Sequence, residues 1–395
     1  MRIHSHFNTA VLIISKYDGK IPLAQFLKQY FSQQKKHGSR DRKTISHFCY
    51  CFYRLGKALK EIDTSERLKI ALFLCNENVD EYSDLFDENW KENGSNNLSE
   101  RIKFIQKFYP NFSIENIFPF ENELSESIDF TALAQSHLIQ PDLFLRIRPN
   151  KEEIVLRKLN DANISFQQIN STCLKLQNAS KIEAVLLVNE EVVVQDYSSQ
   201  KITEFIELSN ANHQPQTTNH QPKLWDCCAA SGGKSILAKD VLKNISLTVS
   251  DLRPFIINNL QKRFKDAGIK NYRSFVADLT TNYQPPTTNF DLIICDAPCS
   301  GSGTWARTPE QLYFFEKNEI EKYALLQRKI ISNVIPSLAK DGYFLYITCS
   351  VFKKENEDAV EFIQQKFSLQ RIKKEILKGC EMKADTMFAA LFKKN

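Results

Sequence analysis

No stretch of this 395-residue chain stays apolar over the ~20 residues that a membrane-spanning helix requires. Charged residues make up 25% and hydrophobic residues 42%, so the composition predicts a soluble globular protein with no membrane partner. The opening segment MRIHSHFNTAVLIISKYDGK has a short apolar stretch but no small-residue cleavage site, and cytoplasmic residence is expected. CxxC pairs are absent, and none of the seven histidines lies beyond His220. The cysteine-rich half therefore lacks the usual zinc-ligand spacing, and no metal is expected. The ten cysteines are also too few for a disulfide scaffold in so long a chain, and they read as reduced thiols. Glycine is sparse, at eleven residues, so two glycines standing together need a reason.

What is present is uneven. Residues 1–70 hold 14 Lys/Arg against 5 Asp/Glu, whereas residues 71–130 hold 4 against 13, giving a basic front followed by an acidic segment. A basic front interleaved with aromatics suits a nucleic-acid backbone, and it equally suits a solvated helical face. From residue 8 to about 135 apolar residues recur at three and four, as in ISHFCYCFYRLGKAL, which predicts a helical domain. Gln140-Pro141 breaks that pattern. LFLRIRPN then reads as a strand, EEIVLRKLNDANI as a helix, and EAVLLV and EVVVQD as further strands, so a small α+β unit is expected. The polar stretch NANHQPQTTNHQPK repeats NHQP and reads as a loop insertion at 210–223. The predicted division is 1–140, 141–200 and 201–395.

Beyond the insertion, apolar runs alternate with helical segments: LWDCC, ISLTVSD, YRSFVAD, FDLIICD and GYFLYITCS, with a long helix over 318–339. This predicts a parallel α/β sheet. Ligands of such sheets sit beyond the carboxyl ends of the strands, where this chain carries Asp226, Asp251, Asp278, Asp296 and Cys349. The loop CAASGGKS joins the first strand to the first helix. Its paired glycines would let a ligand approach the backbone, and the helix start would offer free N–H groups. A tight strand-to-helix turn explains the same glycines. A P-loop would need glycine at position 228, which is cysteine, and GxGxxG is absent as well. Asp251 stands where a Rossmann-type sheet places an acid on a ribose diol. Asp278 could accept from an adenine amino group or cap the next segment.

DAPCSGSGTWARTPE and YITCS each carry a cysteine at a strand end, so Cys299 and Cys349 can share one rim of the sheet. Thiolate attack on carbon 6 of a pyrimidine makes carbon 5 electron-rich enough to take a methyl group from a sulfonium donor. A thiol near pKa ~8.5 needs nearby positive charge for this, and Lys234 is a candidate source. Cys227, Cys228 and Cys295 read as small buried hydrophobes.

LRIRPN, VQDYSSQ, CAASGGKS, DAPCSGSGTWARTPE and LYITCSVFKKENEDAV, in that order, resemble the Fmu/Sun-type RNA (cytosine-5) methyltransferases. The resemblance implies a Rossmann-like class I S-adenosylmethionine-dependent methyltransferase domain, preceded by an RRM-like α+β unit and an N-terminal all-α domain. It implies S-adenosyl-L-methionine as the methyl donor and no other cofactor. Cys349 would bond to the base, Cys299 would help release the product, and Asp296 would hold the cytosine edge. Cys228, Ala229, Ala230, Ser231, Gly232, Gly233 and Lys234, with Asp251, Asp278 and Asp296, would line the donor pocket. The chain departs from the family pattern at Ser231, Ile256 and Ala306, and it lacks the usual glycine after Asp385. GSRDRKTISHFCYCFYRLGK resembles the NusB-like RNA-binding domain of some ribosomal RNA members. With the chain ending just after the last strand, the expected substrate is 16S ribosomal RNA and the expected state a monomer. A tRNA or DNA cytosine methyltransferase, and a catalytically silent ribosome-assembly factor, stay open as alternatives.

Overall fold

Residues 2–136 form seven α-helices: α1 (Arg2–Lys16), α2 (Leu23–Gln33), α3 (Ser39–Arg54), α4 (Thr64–Cys75), α5 (Glu88–Gly94), α6 (Leu98–Phe108) and α7 (Phe130–Ser136). The computed structural model describes residues 2–94, 97–211, 221–281, 285 and 288–395, so positions 212–220 of the polar insertion lie outside the described residues. After α7 come β1 (Leu143–Ile147), α8 (Glu152–Asp161), β2 (Gln167–Gln168), β3 (Cys173–Leu176), β4 (Val192–Val194), α9 (Tyr197–Gln200) and α10 (Ile202–Ala211). The remainder alternates: β5 (Lys223–Asp226), α11 (Gly233–Leu242), β6 (Ser246–Asp251), α12 (Pro254–Asp266), β7 (Tyr272–Val276), β8 (Phe290–Asp296), α13 (Pro309–Phe314), α14 (Asn318–Val334), β9 (Leu338–Thr348), α15 (Glu357–Phe367), β10 (Gln370–Leu377) and β11 (Met387–Lys393).

Two compact units result. The helical unit takes residues 1–124 and 129–140 together with 304–317, and the second takes 125–128, 141–303 and 318–395. The helical unit is held by apolar faces, with Ile45, Phe48, Phe52 and Tyr53 of α3 all buried. It is also held by two buried arginines that serve backbone carbonyls. Arg67 donates to Phe52, Gly56 and Ala58, closing the end of α3, and Arg54 donates to His137, Ile139 and Ala306. The segment 304–317 is built into this unit through Ala306 and through Glu310, which accepts from the Leu23 N–H at 3.1 Å.

In the second unit a four-stranded antiparallel sheet, ordered β2-β3-β1-β4, packs Leu145, Ile147, Leu174 and Val192 against Val155 and Leu159 of α8. EAVLLV is not a strand. Ile182–Ala184 turns as a 3-10 helix, Leu186 plugs the core, and one bridge from Val188 to Val192 precedes the reversal at Asn189 (φ 74°). The strand that pairs with β1 on that side is β3, from the unread CLKL.

The small sheet is tied to α11 by a charge cluster. Arg146 Nη1 lies 2.7 Å from Asp240 Oδ2, and Arg148 Nη2 lies 2.8 Å from Asp240 Oδ1, with side chains only 6%, 13% and 7% exposed in the order Arg146, Arg148, Asp240. Removing the anion strands two desolvated guanidinium groups, a change that typically costs ~3–5 kcal/mol. Asp240→Ala is expected to lower unfolding stability by that order in urea titration, whereas breaking the exposed Lys20–Asp18 pair is expected to leave it unchanged.

The large sheet is ordered β10-β11-β9-β8-β5-β6-β7. Strands β7, β6, β5, β8 and β9 run parallel, confirming the Rossmann-like expectation, while β11 lies antiparallel to β9 and carries β10 as a hairpin. The sheet is thus mixed rather than all parallel. The helix predicted to reach 339 stops at Val334, because Pro336 cannot continue it, and β9 begins at Leu338. Apolar side chains cover both faces, as a parallel sheet between helices requires. Strand order reverses at β5, between β8 and β6, which opens a crevice beyond the carboxyl ends of these strands.

Candidate active site

A cavity of about 520 Å³ occupies that crevice. Its polar lining includes Asp251 at the end of β6, Asp278 after β7, Asp296 at the end of β8 with Cys299 beyond it, and Cys349 after β9. Ala277, Leu279, Leu326 and Ile330 give it an apolar wall. Such a cavity suits a ligand with a flat apolar part and hydrogen-bonding ends.

The two thiols expected on one rim do meet: Cys299 Sγ and Cys349 Sγ are 3.3 Å apart. Their strands are neighbours in register, Asp296 opposite Ile347, so the loops leave the sheet side by side. The hydrogen bond with the Cys349 sulfur, with burial, pushes the Cys299 thiol well up from its ordinary value. Lys234, on α11, donates to Asp296 Oδ2 at 2.9 Å. Burial pulls this ammonium down, but Asp296 and, in addition, Cys349 outweigh it and hold the group above the ordinary lysine value. A cation that stays charged near a thiol favours its thiolate.

Other expected residues divide between lining and support. Cys228, Ala230, Asp251, Asp278 and Asp296 line the cavity, whereas Ala229, Ser231, Gly232, Gly233 and Lys234 do not. Gly232 adopts φ 82°, and a Cβ there would stand 2.5 Å from the Phe264 ring. Its lack of a side chain thus serves a left-handed turn packed on α12. Ser231 accepts from Arg263 Nη1 at 2.9 Å. Asp251 accepts from the Ala230 N–H at 3.1 Å and from Arg253 at 3.0–3.4 Å, which ties the loop after β5 to the loop after β6. Asp278 Oδ1 accepts from the Thr280 N–H and hydroxyl, and these bonds hold the carboxyl below its usual range. Asp226 is fully buried on Ser235, and burial has pushed it up to about 7.

Sequence reasoning missed a third wall, formed by Tyr323, Leu326 and Ile330 of α14. Their spacing of three and four is the available signal, but it marks any amphipathic helix. It also missed Glu355. This fully buried carboxylate accepts from the Ser300 N–H (2.9 Å), Ser350 Oγ (2.7 Å) and Gln327 Nε2 (2.9 Å), so it binds both cysteine loops at once.

The family model "16S rRNA methyltransferase RsmB/F" matches residues 213–391. A curated relative, the ribosomal RNA small subunit methyltransferase B of Enterobacter sp. (strain 638), is 25% identical over 264 residues, which are 66% of this chain and 55% of the relative. The probable ribosomal RNA small subunit methyltransferase B of Bacillus subtilis (strain 168) is 26% identical over 240 residues, 59% of this chain and 52% of the relative. The chain thus spans about half the length of these relatives. Among solved structures, PH0851 superposes with a TM-score of 0.66 at 18% identity, covering 93% of each chain. NSun6 from Pyrococcus horikoshii with SFG gives 0.55 at 15% identity, covering 64% of this chain and 91% of that one. Both structures show the fold. Residues 213–391, which hold every strand and loop that builds the cavity, match the RsmB/F methyltransferase family model.

Proposed function

We propose that the protein is an S-adenosyl-L-methionine-dependent RNA (cytosine-5) methyltransferase acting on 16S ribosomal RNA. The carrying observation is the pair of thiols 3.3 Å apart on the rim of a cavity that also holds three carboxylates. Asp251 suits a ribose diol, and the wall of Ala277, Leu279, Leu326 and Ile330 suits an adenine ring, so the residues present fit the methyl donor. When bound, the donor supplies a methyl group on a sulfonium.

Cys349 Sγ attacks carbon 6 of the cytosine, helped toward the thiolate by the charge of Lys234. Asp296, oriented by Lys234, accepts from the amino edge of the base. While Cys349 holds negative charge, Cys299 keeps its proton. Once Cys349 is bonded to carbon, that charge is gone, and Cys299 becomes easier to ionise. It then takes the proton from carbon 5, the electron pair closes the 5,6 double bond, and the Cys349–carbon bond breaks. One sulfur attacks and leaves, and the other handles the proton.

The NusB-like region 1–140 and the RRM-like region 141–200 are the proposed RNA-binding parts, the former for its net basic front. No helix among the described residues is long and apolar enough to cross a membrane, and a cytoplasmic monomer meeting ribosomal RNA fits this reading. The test is 5-methylcytosine mapping of total RNA with and without the gene. One 16S site should disappear on deletion and return with the wild-type gene but not with Cys349→Ala. A site lost from tRNA or DNA instead would replace the substrate, and an unchanged map would leave the assembly-factor reading.

A further inference from the structure

We propose that Cys227, Cys228 and Cys295 form a site for a thiophilic metal ion of the Zn²⁺ class on the wall of the cavity, and that its occupation excludes the methyl donor. The three sulfur atoms all lie within 4.8 Å of one another. Zinc–thiolate bonds of about 2.3 Å place the sulfurs of a trigonal or tetrahedral site roughly 3.8–4.0 Å apart, so small rotamer adjustments suffice. Among the described residues this is the one group of three or more Cys, His, Asp or Glu ligand atoms gathered so closely.

The ligands come from two adjacent parallel strands. Asp226 of β5 pairs with Ile294 of β8, and the Cys227 N–H donates to the Ile294 carbonyl at 2.9 Å, which brings the consecutive cysteines beside Cys295. No linear spacing could reveal such a set. Cys227 and Cys228 line the cavity, while Cys295 is fully buried behind them, so an ion can enter from the cavity and close on the third sulfur. Just before the pair, the buried Asp226 carboxyl has Oδ1 without a hydrogen-bond partner.

Binding balances as one divalent ion entering, three S–H bonds breaking, three metal–sulfur bonds forming and three protons leaving to solvent. An ion held by Cys227 and Cys228 would face the cavity that Ala230 and Asp296 also line. The exclusion of the donor rests on the proposed function, whereas the metal site does not.

The probe is Co²⁺, titrated anaerobically into the full-length, phosphine-reduced protein, followed by displacement with Zn²⁺. One equivalent should produce a thiolate-to-cobalt charge-transfer band, with release of three protons. The band should vanish in the Cys228→Ser/Cys295→Ser double variant and persist in Cys299→Ser/Cys349→Ser. Near-ultraviolet circular dichroism and melting establish that each variant is folded, and the single variant Cys228→Ser, at the partly exposed position, provides a second reading if the double variant is not. Absence of the band in the wild type, or its loss with the Cys299/Cys349 variant alone, overturns the site. Calorimetry with S-adenosylhomocysteine should show apparent affinity weakened roughly tenfold or more at saturating Zn²⁺. Unchanged affinity overturns the exclusion, and failure of S-adenosylhomocysteine to bind the metal-free protein overturns the functional reading while leaving the site.

Discussion

Cys349→Ala is expected to lower methyl transfer by ~10³ or more and to leave no covalent RNA–protein adduct, because it removes the thiol proposed to make carbon 5 nucleophilic. Cys299→Ala is expected to stall after attack, accumulating an adduct that survives denaturing electrophoresis. The geometry alone is nearly symmetric, with two sulfurs 3.3 Å apart. The proposed asymmetry is one of charge. The Cys299 thiol is pushed up by its bond to the Cys349 sulfur and by burial, whereas Lys234, kept charged by Asp296, interacts with Cys349. The charge of Lys234 supports the proposed assignment of attack to Cys349. Tritium transfer from labelled donor, run beside adduct gels for both variants, checks the assignment, and the opposite pattern would exchange the roles of the two cysteines.

Much of this arrangement was legible because it depends on strand ends. A short apolar run followed by an acid or cysteine names the rim of a sheet, and the rim is where Asp251, Asp278, Asp296, Cys299 and Cys349 stand. Register supplied what the runs could not. The approach of Cys299 to Cys349 needs β8 beside β9, and the grouping of Cys227, Cys228 and Cys295 needs β5 beside β8. Neither adjacency is written in spacing along the chain. EAVLLV reads as a strand because composition rewards β-branched residues, whereas Ile182–Ala184 at its start turns as a 3-10 helix. Residues 304–317 follow the Cys299 loop yet complete the helical unit, as the carbonyl of Ala306 held by Arg54 and the carboxylate of Glu310 held by the Leu23 N–H show. Gly232, expected either to admit a ligand or to make a tight turn, adopts φ 82° where a Cβ would stand 2.5 Å from the Phe264 ring.

Glu355 produces the second large effect, without touching either thiol. Its carboxylate takes hydrogen bonds from Ser300, next to Cys299, and from Ser350, next to Cys349. The Ser302 hydroxyl accepts from the Val351 N–H at 2.9 Å, and the Gly303 N–H donates to the Cys349 carbonyl at 2.8 Å, so the two loops are joined at several points. Burial pushes the Glu355 carboxyl up while these donors pull it down, and no solvent can replace it as an acceptor. Glu355→Ala leaves a backbone N–H, a hydroxyl and an amide buried without their acceptor, at ~1–3 kcal/mol each. The loops relieve that cost by parting, and displacements near 1 Å of reacting groups typically cost ~10² in rate. Methyl transfer is therefore expected to fall ~10²-fold in kcat, with the affinity for S-adenosylhomocysteine within about threefold of wild type, since Glu355 does not line the cavity. Glu355→Gln, which keeps one acceptor oxygen, should recover part of the loss. A merely structural role would lower the melting temperature and leave kcat per folded molecule unchanged; a positioning role separates kcat from affinity.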